Sequence, residues 1–525
     1  MKSIVVNNFG GGIADDKYNA NPGEYSIAKH FDTLTNPRRL QPLRGMTTHT
    51  ASTVIGNIIG ASNGFMYGVG VDGSNPSNGK LWKLTGYGST DDYAALSTNQ
   101  LSGATVNYDF LVDWQDAGNV RTIHWASNNL LVASDPAGGS SATTQALTFT
   151  TIGQGFVHPK DKVLYFPYRT STTPYIGKIT SNGTPFSGLS ATAFTLPLQY
   201  RAYCLTNWNN FLAIPLTSLS SLSDVNSSLV ALWGRDTSLT TFDETIPWGN
   251  GALKVLNNLN GSLIGISELG SDSLQAETPQ DYNAVLIKAW NGGAEPTLIK
   301  EIKAFHFAGS SRPSVSINPR VNFVNKNRLY FSVNVNPNDG TSPAYYGLWS
   351  VGKNMQGQWV VQLERMATDT GTETSVIAAA IAGDFVSMAH TAAGTLTRTR
   401  SGVTSSSTYS ATSVYESAVN PNMDDFDKTR RKKLVSVGIT TLPLLSSQSV
   451  VMKARIDSDY DANDWVTIFT KTSASPDTST TFYETPITSA MALPDGVHLE
   501  FRLESTGGAV ITSFGYKYET LTDQL

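Results

Sequence analysis

The feature that most constrains the fold is a short unit that recurs at irregular intervals along the middle of the chain. Each unit is an apolar run, a turn rich in Asn, Asp or Gly, and a second apolar run. The units are Val54–Gly68, Ile123–Ala133, Phe156–Phe166, Ala202–Ile214, Ala252–Ile266, Val321–Val333 and Ser375–Met388. Their partner strands are Lys80–Leu84, Ala146–Ile152, Tyr175–Ile179, Leu229–Trp233, Ala284–Trp290, Tyr346–Val351 and Thr395–Arg400. Repetition of one small β unit predicts an all-β fold, a β-propeller of about seven blades.

The blade count depends on one interval. Between Tyr67 and Ile123 the sequence can hold a further strand pair or only a loop insertion, so six or eight blades also fit. Helix signals are scarce, and Thr374–Ala382 is the main ambiguous segment.

Composition supports a β-rich protein and sets limits on partners. The chain has 525 residues, of which only 15% are charged, with 21 Tyr, 21 Phe and 10 Trp. Its formal net charge of −5 gives no chain-wide footprint for nucleic acid. The single cysteine, Cys204, excludes a disulfide within the chain and suits a buried strand. We expect no membrane insertion, because no apolar run approaches the ~20 residues of a spanning helix. The start shows no signal peptide, which predicts folding in a cytoplasm.

Three zones divide the chain. We expect an extended N-terminal arm over 1–49, the propeller over 50–418 and a small β-sandwich domain over 419–525. Gly10, Gly11 and Gly12 allow the arm a sharp turn or a close approach to another backbone. In the third zone six short alternating strands predict an antiparallel sandwich. They are Leu434–Thr440, Val450–Ile456, Trp465–Thr470, Thr481–Glu484, His498–Glu504 and Ala509–Tyr518.

The densest carboxylate cluster begins like a calcium loop. Asp457, Asp459 and Asp461 are its candidate metal ligands. Ala462 stands where an EF-hand needs Gly, and Ile468 where it needs Glu, so a hairpin tip explains the same residues.

Carbohydrate hydrolysis is the enzymatic alternative, because propellers often host it. That chemistry needs two carboxylates about 5–10 Å apart, one of them with a raised pKa. The candidate acids are Asp113, Asp116, Asp236, Asp243, Glu244 and Asp384, and no motif pairs them. No histidines have metal-ligand spacing, and His124 beside Trp125 is typical of a packed side chain. Trp82, Trp233, Trp290 and Trp349 occupy matching places in their units, which favours blade core over a sugar-stacking platform.

One basic run interrupts the otherwise weakly charged sequence. It contains Arg430, Arg431, Lys432 and Lys433. We interpret it as a solvated hinge or an inter-subunit contact rather than a DNA contact.

Three N-terminal segments, Asn7–Asp16, Pro22–Ser26 and Arg39–Gly45, form a distinctive pattern over about the first tenth of the chain. Together they resemble the opening of bacteriophage virion proteins of the tail-nozzle type. Those proteins begin with an Asn-Phe-x-Gly-Gly segment, an acidic pair, a Pro/Ala-x-Glu step and a Leu-x-x-Arg-x-Gly segment. Ala28–Phe31 departs from their Asn-Val/Leu-Asp step, so the ring position (nozzle, hub or head–tail junction) stays open.

The resemblance implies a structural subunit with no catalytic residue and no cofactor. It implies a ring of the chain with itself, commonly of six copies, around the DNA channel of a phage tail. Other tail or head–tail connector proteins would be partners, and DNA would make transient contact in passing. We expect Phe9, Ile13, Tyr25 and Phe31, with the three glycines and the basic run, to make the interactions. The alternatives are a host receptor or glycan-binding tail protein, using loops such as Asp72–Gly79 and Ser218–Ser228, and a glycan depolymerase.

Overall fold

A computed structural model provides the structure of the chain. It describes residues 1–14, 18, 20–44, 47–49, 54–60, 66–71, 79–84, 93–95, 106–127, 129–137, 142–219, 227–269, 282–305, 314–336, 345–354, 356–366, 373–382, 385–392, 395–401, 409, 412–457, 464–473 and 481–521. Nearly all regular structure within these ranges is β-strand. None of the helical segments found there has the length and hydropathy of a membrane span.

Six short strands precede the repeat region. They are β1 (Lys2–Val6), β2 (Gly12–Ile13), β3 (Glu24–Lys29), β4 (Phe31–Asp32), β5 (Gln41–Pro42) and β6 (Thr47–His49). β4 and β5 pair only with each other, whereas the other four join larger sheets.

Seven antiparallel sheets follow one another along the described chain. Blade 1 contains β7 (Val54–Gly60), β8 (Met66–Val71), β9 (Gly79–Leu84) and β10 (Tyr93–Ala95). Blade 2 contains β11 (Val106–Gln115), β12 (Arg121–Ser127), β13 (Leu130–Ser134) and β14 (Thr143–Ala146). Blade 3 contains β15 (Thr151–Ile152), β16 (Phe156–Val157), β17 (Leu164–Arg169), β18 (Pro174–Ile179) and β19 (Leu189–Thr195). Blade 4 contains β20 (Tyr200–Arg201), β21 (Thr206–Trp208), β22 (Phe211–Ser218), β23 (Ser228–Trp233) and β24 (Glu244–Gly249).

The remaining three blades have the same plan. Blade 5 contains β25 (Ala252–Leu259), β26 (Ser262–Leu269), β27 (Tyr282–Trp290) and β28 (Thr297–Phe305). Blade 6 contains β29 (Ser314–Ser316), β30 (Asn322–Asn325), β31 (Arg328–Asn336), β32 (Tyr345–Lys353) and β33 (Trp359–Met366). Blade 7 contains β34 (Glu373–Ala382), β35 (Phe385–Ala392) and β36 (Thr395–Ser401). Its fourth strand is β6, which pairs with β36 in antiparallel register.

The ring of blades is closed in two ways. β34 of blade 7 packs against β7 of blade 1, so the last sheet contacts the first. The strand β6 comes from the other end of the repeat region and completes blade 7, which ties the two ends of the ring together. The predicted all-β propeller is therefore confirmed, and the described residues form seven blades.

The structure resolves three uncertain parts of the repeat. The interval after Tyr67 holds both β10 and β11, so the end of one blade and the start of the next lie there. The predicted strand Ala146–Ile152 is interrupted instead: Ala146 ends β14, Thr151–Ile152 is β15, and residues 147–150 connect blades 2 and 3. The ambiguous segment Thr374–Ala382 is strand β34.

The last zone forms a two-sheet sandwich. It contains β37 (Ser413–Ser417), α1 (Asp425–Lys428), β38 (Lys432–Thr441), β39 (Ser449–Ile456), β40 (Val466–Thr472), β41 (Thr481–Pro486), a 3-10 turn (Ser489–Met491), β42 (Leu499–Thr506) and β43 (Ile511–Thr520). One sheet has the order β1-β43-β38-β41 and the other the order β2-β3-β37-β42-β39-β40. The six predicted strands are all present, and β37, placed before the boundary at 418 in the sequence division, lies in this domain.

The strands of residues 1–49 belong to four sheets, including the small β4–β5 pair, rather than being laid out as one arm. β1 pairs along its whole length with β43, β3 pairs with β37, and β6 belongs to blade 7. Pairing inside the chain satisfies the backbone groups that a free extended segment would leave to water. It also buries apolar side chains, which offsets the ~1–2 kcal/mol of backbone entropy lost per ordered residue.

Candidate functional site at the propeller–sandwich junction

The glycine segment brings the N-terminal residues against blade 6. Gly12 has φ +83°, and a Cβ built on it would lie 2.9 Å from Val360 Cγ1 and 3.0 Å from the carbonyl oxygen of Val361. A Cβ on Gly11 would lie 2.5 Å from the amide nitrogen of Glu24. The close backbone approach that the sequence predicted for this segment is therefore present, and its partners are β3 and the outer strand of blade 6.

A buried hydrogen-bond chain crosses from the sandwich to blade 6. The Tyr25 hydroxyl donates to Thr33 Oγ1 (2.9 Å), which donates to Gln362 Oε1 (2.9 Å). All three side chains are at most 1% exposed. Burial raises the pKa of Tyr25, so the phenol stays protonated and keeps donating.

Ion pairs join the same two bodies. Within blade 6, Arg328 Nη1 donates to Glu364 Oε1 at 2.7 Å, and across the junction its Nη2 donates to Thr35 Oγ1 at 2.8 Å. Arg328 also lies 3.7 Å from Asp32. Lys300 Nζ of blade 5 lies 3.4 Å from Glu24 Oε1 of β3, with both side chains largely buried. Buried charge pairs with fixed geometry hold the sandwich and the propeller in one relative orientation, because a displacement of either would leave a buried charge unpaired.

A cleft of about 730 Å³ opens beside this network, between residues 32–44 and blades 6 and 7. Its charged lining among the described residues is mostly cationic. The cations are Arg44, Lys326, Arg328, Lys353 and Arg365, and the carboxylates are Asp32 and Glu364. Leu34, Leu43, Ile381 and Val386 supply apolar walls. The volume lies within the range of small-ligand sites.

Arg365 is the most unusual group in the cleft. Its side chain is 8% exposed, and its Nη1 has no hydrogen-bond partner among the described residues. Burial lowers the pKa of Arg365 to about 10, although nearby Glu364 acts in the opposite direction. The guanidinium is therefore charged at neutral pH and incompletely satisfied within the described part of the chain.

The predicted interaction residues of the N-terminal segment lie mainly inside the molecule. Phe9, Tyr25 and Phe31 are 0% exposed in the sandwich core, where Phe9 meets Tyr415 edge-on at 5.4 Å between ring centroids. Ile13 is half-buried and packs between the sandwich core and the blade 5–6 core. Their side chains therefore join parts of one chain, and an inter-subunit role for the segment stays a prediction.

The basic run is not uniform. Lys432 is 0% exposed, and its Nζ donates to the carbonyls of Asp427 and Arg430 (both 2.7 Å). Burial lowers the pKa of Lys432 to about 8. Arg430 lies over the Phe426 ring, and Arg430, Arg431 and Lys433 are exposed. These three cations are accessible to a partner, whereas Lys432 stabilises the turn after α1.

Asp457 has a local structural role. Its carboxylate accepts hydrogen bonds from the backbone amides of Val497 (2.9 Å) and His498 (2.6 Å). It follows β39, which forms the predicted hairpin with β40. Asp459 and Asp461 lie outside the described residues, and within the described ranges no group of three or more metal-type ligands occurs.

The candidate acids of the enzymatic alternative are also engaged locally. Asp113 pairs with Arg121, and Asp243 accepts from the amide of Gly234. Asp236 accepts from the amide and hydroxyl of Ser238. Burial of Asp116 raises its pKa, but hydrogen bonds from Gly183, Val120, Ser181 and Gly118 outweigh it and hold the pKa below its usual value. A glycosidase general acid needs a shift in the other direction. Glu244 is exposed on β24, and Asp384 lies outside the described residues.

The predictions that His124, Cys204 and the blade tryptophans are packed in the core are confirmed. His124 is 0% exposed between Trp114 and Phe186, and burial lowers its pKa to about 3. Cys204 is 0% exposed, and burial raises its pKa to about 12. Trp82, Trp233, Trp290 and Trp349 are all buried in the blades. Most of the loops proposed for glycan contact, 72–78 and 220–226, lie outside the described residues.

Comparisons with known proteins find similarity only at the level of structure. No protein-family model and no curated protein sequence matches the chain. Hydrazine synthase of Kuenenia stuttgartiensis aligns with 9% identity and a TM-score of 0.37 over 67% of this chain and 96% of that one. The Dos1 propeller aligns with 10% identity and a TM-score of 0.38 over 68% and 94%. The Cps50 (Swd1) propeller domain of Myceliophteria thermophila aligns with 10% identity and a TM-score of 0.39 over 69% and 100%. Identities this low carry no information about activity or partners.

Proposed function

We propose that this chain is a structural, non-enzymatic subunit of a ring in a bacteriophage tail, at the nozzle, the hub or the head–tail junction. It would surround the DNA channel, contact copies of itself and dock neighbouring virion proteins. The observation that carries the proposal is the position of the N-terminal segment that resembles tail-nozzle proteins. Its residues form the junction between the two bodies of the molecule.

A ring subunit needs such a junction. A heterologous contact closes a ring only if every copy is rotated by the same angle relative to its neighbour. If both the propeller and the sandwich contact neighbouring copies, the angle between them must be the same in every subunit. Gly12 seats the segment on Val360 and Val361, while Glu24 reaches Lys300 of blade 5. The segment thus fixes the sandwich on the propeller, and this fixed arrangement supports the proposal of a ring subunit.

The proposal is tested first on particles. Mass spectrometry of purified virions of the phage that encodes the chain should find it in a constant ratio to the other tail proteins. Cryo-electron microscopy should place it as a ring, with six copies expected from the resemblance. Absence of the chain from purified particles would refute the proposal.

A second test uses the full-length recombinant chain. Native mass spectrometry should detect a closed oligomer, alone or with extracts of tail proteins. Arg328→Ala, which removes the contacts to Thr35 and Asp32 across the junction, should lower the oligomer fraction while far-UV circular dichroism is unchanged; Arg169→Ala in blade 3 is the matched control. Glycan-array binding or polysaccharide cleavage by a chain that stays monomeric would favour the receptor-binding or depolymerase alternative instead.

A further inference from the structure

An arginine of blade 4 reaches across to blade 3 and ends beside a buried histidine. Arg235 lies in the loop between β23 and β24, and His158 begins the turn between β16 and β17. Arg235 Nη1 lies 2.9 Å from His158 Nε2, and its Nε donates to Asp161 Oδ2 at 2.9 Å. The same guanidinium donates to the carbonyl oxygen of Asn210 in blade 4. Arg235 therefore ties its own loop to the turn of the neighbouring blade.

The contact with Arg235 requires His158 to be neutral. A guanidinium carries only donors, so Nε2 must accept and the ring proton must be on Nδ1, which lies 3.6 Å from Asp161 Oδ1. The amide nitrogen of Lys160 lies 3.4 Å from Nδ1, too long to compete with the charge-assisted contact at Nε2. The side chain of His158 is 0% exposed, so water does not take the place of either partner.

The charged groups that face the imidazole in the described structure are Arg235, Asp161 and Lys160. Burial lowers the pKa of His158, and Arg235 and Lys160 act in the same direction against the opposing effect of Asp161. The Tyr165 hydroxyl donates to Asp161 Oδ2 at 3.3 Å, and burial raises its pKa, so it adds no charge. A protonated ring would place two positive charges 2.9 Å apart in a buried site, and one of them must leave.

The arginine is the group that can move. The backbone of His158 is held on both sides, because its amide donates to the carbonyl of Val163 (3.0 Å) and its carbonyl accepts from the amide of Lys162 (2.9 Å). Arg235 lies in a surface loop, and its φ of +67° is in the left-handed region that a residue with a side chain adopts only at a cost. Release would return its guanidinium to water and leave Asp161 beside the imidazolium.

We propose that Arg235 and His158 form an acid-sensitive latch between blades 3 and 4, in which protonation of His158 expels the guanidinium and frees residues 234–239 from blade 3. Phe242 stacks on Phe194 of blade 3 at 5.0 Å, and acid does not alter this apolar contact, so the release is confined to the first part of the loop. The inference does not rest on the proposed ring, because it follows from the contacts at one blade interface.

The direction and size of the effect follow from proton linkage. In the open form the ring of His158 meets water and titrates near its ordinary pKa of 6.5, whereas the closed form binds the proton only at lower pH. Acid therefore favours the open form. For one linked proton the ratio of open to closed latch should rise about tenfold between pH 7.5 and pH 5.5.

The test is electron paramagnetic resonance of a nitroxide label on Leu239→Cys in the full-length chain. Leu239 is 46% exposed, so a label there does not disturb packing, and Cys204 is 0% exposed and stays unlabelled. The ratio of mobile to constrained label should rise about tenfold from pH 7.5 to pH 5.5, with unchanged far-UV circular dichroism. A ratio that is the same at both pH values would overturn the proposal, and so would a loss of circular dichroism that accompanies the mobility, because the whole chain would then be unfolding.

Three variants on the labelled chain separate the latch from other titrating groups. His158→Gln keeps a neutral acceptor for Arg235 and should hold the label constrained at both pH values. Arg235→Met removes the tie and should leave the label mobile at both. His498→Gln changes a histidine of the sandwich whose side chain is 44% exposed, and should respond to pH as wild type does. A wild-type pH response in either His158→Gln or Arg235→Met would refute the assignment.

Discussion

Gly12 offers a direct measurement of how tightly the N-terminal segment is seated on the propeller. Gly12 and Gly261 share φ +83°, but only Gly12 has neighbours in the space of a Cβ. A non-glycine residue in the left-handed region costs about 1–2 kcal/mol, and this applies to both positions. The reduced entropy of the unfolded chain after a Gly→Ala change is also common to both and cancels in the comparison.

The difference between the two variants isolates the contact with blade 6. In Gly12→Ala the new methyl would meet Val360 Cγ1 at 2.9 Å and the Val361 carbonyl oxygen at 3.0 Å, so the strand or the segment must move. Overpacking of this kind typically costs about 1–3 kcal/mol. We therefore expect Gly12→Ala to lose about 2–5 kcal/mol of unfolding free energy, against about 1–2 kcal/mol for Gly261→Ala.

The assay is urea denaturation of wild type and both variants, followed by tryptophan fluorescence and far-UV circular dichroism. Limited proteolysis under native conditions gives a second readout, because a displaced segment exposes residues near β2 and β3 to cleavage. Equal losses of stability in the two variants, with equal protease resistance, would refute the tight seating of the segment on Val360 and Val361.

Three further predictions concern buried polar groups. Burial lowers the pKa of His124 from 6.5 to about 3, so its contribution to stability is present above pH 6.5 and is lost as the pH falls towards 3. From pH 7 to pH 5 this amounts to about 2 kcal/mol of unfolding free energy, and His124→Phe should reduce the pH dependence by that amount; an unchanged slope would contradict it. Arg328→Ala should cost about 3–5 kcal/mol in urea denaturation by leaving Glu364 buried without its cation, and a double-mutant cycle with Glu364→Gln should show a coupling energy well above zero. Thr33→Val should cost about 1–3 kcal/mol by removing the link between Tyr25 and Gln362, whereas Thr33→Ser keeps the hydroxyl and should lose less; equal losses would mean that the hydrogen bonds are not the cause.

The burial of single residues is easiest to predict from sequence in the blades, where the same strand and turn pattern recurs. The blade tryptophans, Cys204 and His124 were each expected to be packed, and each is buried. Sequence gave no signal for Arg365, Gln362 or Arg328, because a charged or polar residue in a strand looks the same whether its partner is water or a distant side chain.

The class of fold and its repeating unit can be derived from the amino-acid sequence alone. Antiparallel strand pairs are specified by alternating apolar residues and by turns such as Asn260-Gly261, with φ of +53° and +83°. The residues that pair in this way are close to each other in the sequence. The place of the first 49 residues was decided by the tertiary structure. Thr33 and Gln362 are 329 positions apart, and Arg328 and Thr35 are 293 apart. Such pairs form only when the closed ring and the sandwich bring their surfaces together, and no local pattern encodes that meeting. The cleft, its unsatisfied guanidinium and the burial of Phe9 and Phe31 within the chain's own core all depend on these long-range contacts.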